Sequence, residues 1–231
     1  MKLLSIIIPA RNEEWLQNTI DDIFLHSELG DDMEVLVGLD ECKVDCSYLT
    51  YPKINLGITR SKEAIGQRAM QNRLAKIAEG KYIMKLDAHV SMSQGFDKVM
   101  LEIIEANPDI VLVPSFTNLH VYNWVCPQGH KTYQGKVDKC SQCEETKLVK
   151  ELVWQNNTKI YSDFKFNKDL IFEYGDLENY EMLHEVKAIQ GSGIMVSKEN
   201  YFKWQLCDES WGSWGQQGYE VYKKTIDNGG K

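Results

Sequence analysis

The first half of the chain alternates between short apolar runs and segments with helical spacing, and this alternation constrains the fold most. The apolar runs have the length and β-branched content of buried strands, and they lie at residues 3–8, 33–37, 81–86 and 109–113. The intervening segments repeat apolar residues at helical spacing, and they lie at about residues 13–29, 61–79 and 95–107. Pro9 is expected to end the first strand. Strands that alternate with helices predict an α/β fold with a doubly wound, mainly parallel sheet.

The length of the chain, 231 residues, fits one α/β domain, residues 1–231, with room for a small inserted module. Hydrophobic residues make up 43% and charged residues 26%, which is typical of a globular protein rather than a disordered one. No run approaches the roughly 20 apolar residues of a membrane span, and residues 1–10 are too short for a signal peptide, so we expect a cytoplasmic protein. The net charge of −8, without a dense Lys/Arg cluster, argues against a nucleic-acid partner.

Polar loops follow three of the predicted strands. They are residues 9–13 after the first strand, Asp40 after the second, and residues 87–89 after the third. In parallel α/β sheets, ligands bind at the carboxyl ends of the strands, where such loops gather. We therefore expect the three loops to form one ligand site.

Asp87 and His89 are one residue apart at the end of a buried strand. In an extended segment such side chains point the same way, so both could reach one ion. A carboxylate oxygen with an imidazole suits Mn²⁺, or a similar ion such as Mg²⁺, better than Ca²⁺, and the ion would bridge the phosphates of a nucleotide. Because Asp-x-His is short, a strand-end Asp that caps a loop beside an unrelated His is the alternative.

A second set of ligand-type residues lies in residues 118–186, where we expect little regular periodicity, an insertion at 120–155 and an acceptor-facing region. Cys126, His130, Cys140 and Cys143 have the spacing C-x3-H-x9-C-x2-C. Four such ligands suit tetrahedral Zn²⁺ with no open position, so the predicted ion is structural. The alternative is free cysteines beside a surface histidine; the other three cysteines, Cys42, Cys46 and Cys207, are scattered.

The order of several landmarks along the chain resembles that of family 2 glycosyltransferases, which have the GT-A fold. The landmarks are residues 5–13, Asn72, Ala78, Gly80, residues 82–87 and residues 208–220. The Asp-x-His variant resembles the metal motif of polypeptide N-acetylgalactosaminyltransferases, in which the metal carries the diphosphate of a uridine nucleotide-sugar. The resemblance implies a metal-dependent glycosyltransferase that moves a hexose or N-acetylhexosamine from a nucleoside diphosphate sugar, UDP-linked, to an unknown acceptor.

The same resemblance implies roles for individual residues. Asp87 and His89 become catalytic metal ligands, and Gly191 and Ser192 border the donor sugar. The implied contacts to the nucleotide are Pro9, Arg11, Glu13, Asp40 and Asn72. Glu220 matches a later acidic position and is expected to bind the acceptor or serve as an unconventional base.

Departures from the family pattern leave the mechanism open. Inverting members place an acidic pair after Trp-Gly, but Gln216 and Gln217 stand there, and glutamine cannot accept a proton. A retaining reaction would not need that carboxylate. Relatives also supply a metal-binding His downstream, for which His120 and His184 are weak substitutes. A nucleotide-sugar-binding module without turnover is the alternative function, and a nucleotidyltransferase is disfavoured because residues 9–14 lack a glycine-rich loop.

Several long side chains have two explanations each. The arginines Arg60, Arg68 and Arg73 could reach a diphosphate, but a solvated helix face is favoured for at least two of them. Trp211 and Trp214 either stack on a sugar ring or pack in the core.

Overall fold

Strands alternate with helices through the first half of the chain and then give way to hairpins. The strands are β1 Leu4–Ala10, β2 Met33–Asp40, β3 Leu56–Ser61, β4 Tyr82–Leu86, β5 Phe116–Val125, β6 Lys131–Tyr133, β7 Val149–Tyr161, β8 Asp163–Phe166, β9 Phe172–Gly175 and β10 Gly193–Ser197. The α-helices are α1 Leu16–His26, α2 Gln67–Ile77, α3 Phe96–Ala106, α4 Lys198–Lys203 and α5 Gln217–Asp227. These bounds come from a computed structural model, which describes residues 2–43, 55–169, 171–175 and 183–231. Cys46 lies outside the described residues.

The main sheet has five strands in the order β10-β4-β1-β2-β3. Strand β1 is parallel to both of its neighbours, β2 and β4, and β2 is parallel to β3. Strand β10 runs antiparallel to β4 at the edge of the sheet. The predicted α/β fold with a mainly parallel sheet is therefore confirmed.

Both faces of the sheet are buried, because alternate residues of each strand point to opposite sides. Ile6 and Ile8 of β1 belong to a core cluster that includes residues of α1 and α3, such as Ile23 and Ile104. The intervening Ile7 belongs to a second cluster that includes residues of α2, α4 and α5. A layer of helices on each face explains why the central strands are almost wholly apolar.

Three local predictions are wrong. Pro9 does not end β1, which continues to Ala10; β4 pairs with β1 only as far as Ile7, so Pro9 needs no ladder bond on that side. Residues 109–113 contribute a single bridge, from Leu112 to Met195, rather than a strand. The predicted helix at 61–79 starts only at Gln67, because Ser61 is the last residue of β3, an edge strand that the prediction omitted, and residues 62–66 connect the two without regular structure.

The chain divides into two compact units, one formed by residues 1–114 with 162–231 and the other by residues 115–161. The second unit is an antiparallel sheet in the order β6-β5-β7, and it contains all of the predicted insertion at 120–155. The β8–β9 hairpin belongs to the first unit. Regular strands here contradict the expectation of little periodicity in residues 118–186. That one glycosyltransferase domain spans residues 1–231 stays a prediction.

The longest α-helices among the described residues have 11 residues. Across the described parts of the chain, no helix combines the length and the apolar character that a membrane crossing needs.

Candidate active site

Three polar segments meet at the carboxyl edge of the parallel sheet. Since β1 lies between β2 and β4 and runs parallel to both, the segments that follow these strands share one edge. Asp40 is the last residue of β2, and Asp87 follows Leu86, the last residue of β4. The topology therefore brings residues 9–13, Asp40 and residues 87–89 to the same side of the sheet.

Asp87 is held in position by a buried lysine and by the start of β10. The ammonium group of Lys85 donates hydrogen bonds to Asp87 Oδ1 and to the carbonyl oxygen of Gly191, each at 2.5 Å. The backbone N–H of Asp87 donates to the carbonyl oxygen of Ser192 at 2.9 Å. The side chain of Lys85 is 2% exposed and that of Asp87 is 31% exposed. Gly191 and Ser192 thus lie beside Asp87.

Lys85 is a site residue that the sequence reasoning missed. It is a charged residue inside a strand whose other residues are apolar, and it stands two positions before Asp87. A spacing of two along a strand puts both side chains on one face. A lysine in an apolar strand, two positions before an aspartate, could therefore have predicted the Lys85–Asp87 ion pair from sequence.

The imidazole of His89 is exposed to solvent and lies next to a carboxylate. Its Nδ1 lies 3.4 Å from Glu13 Oε2, and its side chain is 52% exposed. The hydrogen bond to Glu13 raises the pKa of His89 above its usual value, and the nearby charges of Glu13 and Asp87 add to the effect. The backbone N–H of Val90 donates to Thr19 Oγ1 at 3.0 Å, which anchors the loop on α1.

The side chains of Asp40 and Arg11 bind other residues of the protein and stabilise loops. The buried Asp40 carboxylate accepts from the backbone N–H groups of Ile65 at 2.8 Å and Gly66 at 3.0 Å, just before α2. Gly66 has a φ of 88°, a conformation that favours glycine. Arg11 forms an ion pair with Glu41. These contacts stabilise the edge on which Pro9 and Glu13 also lie.

Asn72 is not brought to this group of residues. Its amide nitrogen donates to the carbonyl oxygen of Cys207 and to Glu209 Oε1, both at 2.9 Å, and its Oδ1 accepts from the hydroxyl of Tyr201. Burial raises the pKa of the Tyr201 hydroxyl and that of the Cys207 thiol, the latter to about 12. In this conformation Asn72 fixes residues 207–209 rather than contacting the loops at the carboxyl edge.

Glu220 is fully buried, with both carboxylate oxygens occupied. Its Oε2 accepts from Arg68 Nε at 2.9 Å, and its Oε1 accepts from the backbone N–H of Asp208 at 2.5 Å and from Lys224 at 3.1 Å. An exposed fraction of 0% removes it from solvent, which favours a structural role over the expected one in acceptor binding or proton transfer.

Arg68, for which a solvated position was considered, is instead buried at the centre of this network. Besides Glu220, its guanidinium donates to the carbonyl oxygens of Gly212 at 3.1 Å and Gly215 at 2.5 Å. These bonds hold the loop that carries Trp211 and Trp214, whose exposed fractions are 40% and 79%. The exposed tryptophans leave stacking on a sugar as the better of their two explanations.

The ligand-type residues of the second unit converge. Cys126, His130, Cys140 and Cys143 offer ligand atoms that all lie within 4.8 Å of one another. Among the described residues this is the only group of three or more such side chains with that proximity, so Asp87 and His89 are not joined by a third such side chain.

The two histidines considered as substitute ligands have other partners. His120 Nε2 lies 2.9 Å from Asn123 Oδ1 within the second unit. His184 Nε2 donates to the carbonyl oxygen of Ser162 at 2.8 Å.

The mainly parallel sheet, with polar loops at its carboxyl edge and an antiparallel strand beside β4, defines an α/β fold of the GT-A type. Residues 5–138, more than half of the chain, match the model of Glycosyl transferase family 2. The chain belongs to this family.

Individual relatives agree with the assignment. An inferred polypeptide N-acetylgalactosaminyltransferase 13 of Drosophila melanogaster is 23% identical over 181 residues, which are 78% of this chain and 28% of that protein. The crystal structure of GalNAc-T7 with UDP, GalNAc and Mn²⁺ superposes with a TM-score of 0.73 at 16% identity, covering 99% of this chain and 41% of that one. The chain spans less than half the length of both relatives, and the structural match establishes a shared fold.

Proposed function

We propose that this chain transfers a hexose or N-acetylhexosamine from a UDP-linked sugar to an acceptor, with a divalent ion, Mn²⁺ or Mg²⁺, bound by Asp87 and His89. Membership of a glycosyltransferase family supports the reaction class. The presence of UDP, GalNAc and Mn²⁺ in the GalNAc-T7 structure, which has the same fold, supports this kind of donor and ion.

The observation that carries the proposal is the contact of Asp87 with Gly191 and Ser192. Lys85 bonds to both Asp87 and Gly191, and Asp87 bonds through its backbone to Ser192. Hydrogen bonds thus join the proposed metal ligand to the turn that is proposed to border the donor sugar. This contact supports a donor whose diphosphate lies at Asp87 and whose sugar lies at residues 191–192.

The side chains at the edge suit a divalent ion of this kind. Asp87 offers a carboxylate oxygen and His89 an imidazole nitrogen, a donor set that suits Mn²⁺ and related ions. Both side chains are open to solvent, at 31% and 52% exposure, so a ligand from solution can reach them. Such an ion would neutralise the charge that develops on the departing diphosphate.

The residues of the chain supply positioning. Lys85 fixes the carboxylate of Asp87, and Glu13 orients the imidazole of His89. Exposed Trp214 is available to stack on the apolar face of an acceptor sugar. Pro9, Arg11 and Asp40 are proposed to border the nucleoside at the same edge.

Calorimetric titration of UDP into the full chain tests the metal site directly. We expect UDP binding to require Mn²⁺ and to weaken by about tenfold or more in Asp87→Asn and His89→Asn, because each removes one ligand. Asp227→Asn is the matched control, since Asp227 is an exposed carboxylate of α5 whose partner is Lys223. UDP binding that survives chelation, or that is equal in Asp87→Asn and Asp227→Asn, would contradict the proposal.

A nucleotide-sugar-binding module without turnover is the second candidate. Gln217 is buried and bonded to Gln71, and Glu220 is fully enclosed, so neither offers a proton acceptor to an incoming hydroxyl. Incubation with UDP-hexoses and UDP-N-acetylhexosamines and a panel of sugar and peptide acceptors separates the two functions. Mn²⁺-dependent binding without UDP release favours the module, whereas sugar transfer to any acceptor rejects it.

A further inference from the structure

We propose that residues 115–161 bind one structural Zn²⁺ ion through Cys126, His130, Cys140 and Cys143. The four side chains close the coordination shell and leave no position for a substrate. This site is independent of the proposed sugar transfer, because none of its ligands belongs to the carboxyl edge of the main sheet.

Two distances between ligand atoms match those of a tetrahedral zinc shell. Zinc–sulfur bonds of about 2.3 Å and zinc–nitrogen bonds of about 2.0–2.1 Å at tetrahedral angles separate two sulfurs by about 3.8 Å and a sulfur from a nitrogen by about 3.6 Å. Cys126 Sγ and Cys143 Sγ are 3.7 Å apart, and Cys140 Sγ and His130 Nδ1 are 3.7 Å apart. A disulfide needs sulfurs about 2.05 Å apart, so the two cysteines are not joined.

The backbone forms a tight turn around each ligand pair. At the first, the N–H of Gly129 donates to the carbonyl oxygen of Cys126 at 2.8 Å, and Gly129 takes a φ of 81°. At the second, the N–H of Gln142 donates to Cys140 Sγ at 3.4 Å, and the N–H of Glu144 donates to the carbonyl oxygen of Cys140 at 2.9 Å. N–H groups directed at sulfur stabilise the charge of a metal-bound thiolate.

Burial explains why the second unit needs an ion. Within residues 115–161, all of which the structure describes, only Val121, Cys126 and Cys140 are buried. A unit this small with one buried aliphatic side chain lacks the apolar core that would hold it together. Two of its three buried residues are ligands of the site, so bonds to an ion replace the missing core.

The chemistry of the ligands selects zinc. Three thiolates and an imidazole are soft or borderline donors, which disfavours Mg²⁺ and Ca²⁺. A pairwise spacing below 4.8 Å suits a single ion rather than a multi-metal cluster.

Metal analysis of the full chain, purified without added zinc, tests the inference. We expect about one zinc per chain in the parent protein and none in His130→Asn, which removes one ligand. His120→Asn is the matched control, because His120 is a partly buried histidine of the same unit that is bonded to Asn123; it should retain its zinc. His130→Cys should also retain zinc, since cysteine is itself a zinc ligand.

The conservative variant keeps the test decisive if His130→Asn misfolds. Zinc retention in His130→Cys together with loss in His130→Asn supports coordination through position 130. Protein that holds no metal, protein that holds iron in place of zinc, or equal zinc loss in the variants of His120 and His130 would overturn the inference. Reconstitution with Co²⁺ adds a spectroscopic check, because tetrahedral thiolate ligation gives intense visible bands, whereas an octahedral oxygen site absorbs only weakly.

Discussion

The two compact units of this protein are stabilised in different ways. The first unit buries an apolar cluster on each face of its five-stranded sheet, with helices covering both sides. The second buries a single aliphatic residue, Val121, together with two cysteines. Burial therefore organises the first unit, whereas the second gathers four ligand-type side chains. The difference teaches that a segment without apolar periodicity can still be folded when four ligand-type side chains meet.

Removal of zinc should produce the largest difference in hydrogen-exchange protection between the two units. We expect that a chelator exposes the amides of residues 115–161 to rapid hydrogen exchange, because the ion substitutes for the core there. Amides of β1 and β4 should stay protected, because their strands are buried on both faces. Hydrogen exchange with mass spectrometry measures both regions in one sample, and added Zn²⁺, but not Mg²⁺, should restore the protection. Residues 115–161 that stay protected without metal would refute this division.

Within the first unit, disruption of the buried Arg68–Glu220 ion pair should have the next largest effect, a loss of stability. Arg68→Met leaves Glu220 as a buried charge without its guanidinium partner and should cost about 3–5 kcal/mol of unfolding free energy. The control is Lys223→Met in the exposed Lys223–Asp227 pair on the same helix as Glu220, which should cost no more than about 1 kcal/mol.

Urea unfolding followed by far-UV circular dichroism measures the two variants. The double change Arg68→Met with Glu220→Met should recover part of the loss, because it also removes the buried carboxylate that has lost its guanidinium partner. If Arg68→Met and Lys223→Met unfold at the same urea concentration, the network around Glu220 contributes little to stability.

The smallest contrast lies on α2, between two apolar residues, Leu74 and Ile77, that are three positions apart. Leu74 is 0% exposed, whereas Ile77 is 54% exposed. Leu74→Ala should therefore cost about 2–5 kcal/mol, and Ile77→Ala about 0.5 kcal/mol or less. The same urea experiment compares them; equal losses would show that the described orientation of α2 is wrong.

The elements that could be predicted from sequence are those in which one local pattern decides the outcome. The runs that became β1, β2 and β4 are mostly apolar because helices cover both faces of the sheet. Strand β3 at the edge has alternating, partly exposed residues, and the prediction omitted it. Its identity depends on pairing with β2, which a short segment does not reveal.

The candidate site divides in the same way. Asp87 and His89 could be found from their spacing after a strand, and the four ligand-type residues from their own spacing. Arg68 could not, since its partner Glu220 lies 152 positions later and only the folded chain brings them together. Because of pairs between residues far apart in sequence, a side chain expected at the surface can be buried. Such pairs cannot be predicted from the periodicity of a short segment.

The pairing of Phe116 with Tyr161 has a consequence for how such a chain can evolve. These residues are the first of β5 and the last of β7, and they are directly opposite each other in the ladder. The entry and exit of the second unit are therefore neighbours, so a short turn in its place would span the same gap. During evolution, such a module can be exchanged, lengthened or deleted while the sheet that carries Asp87 keeps its strand order.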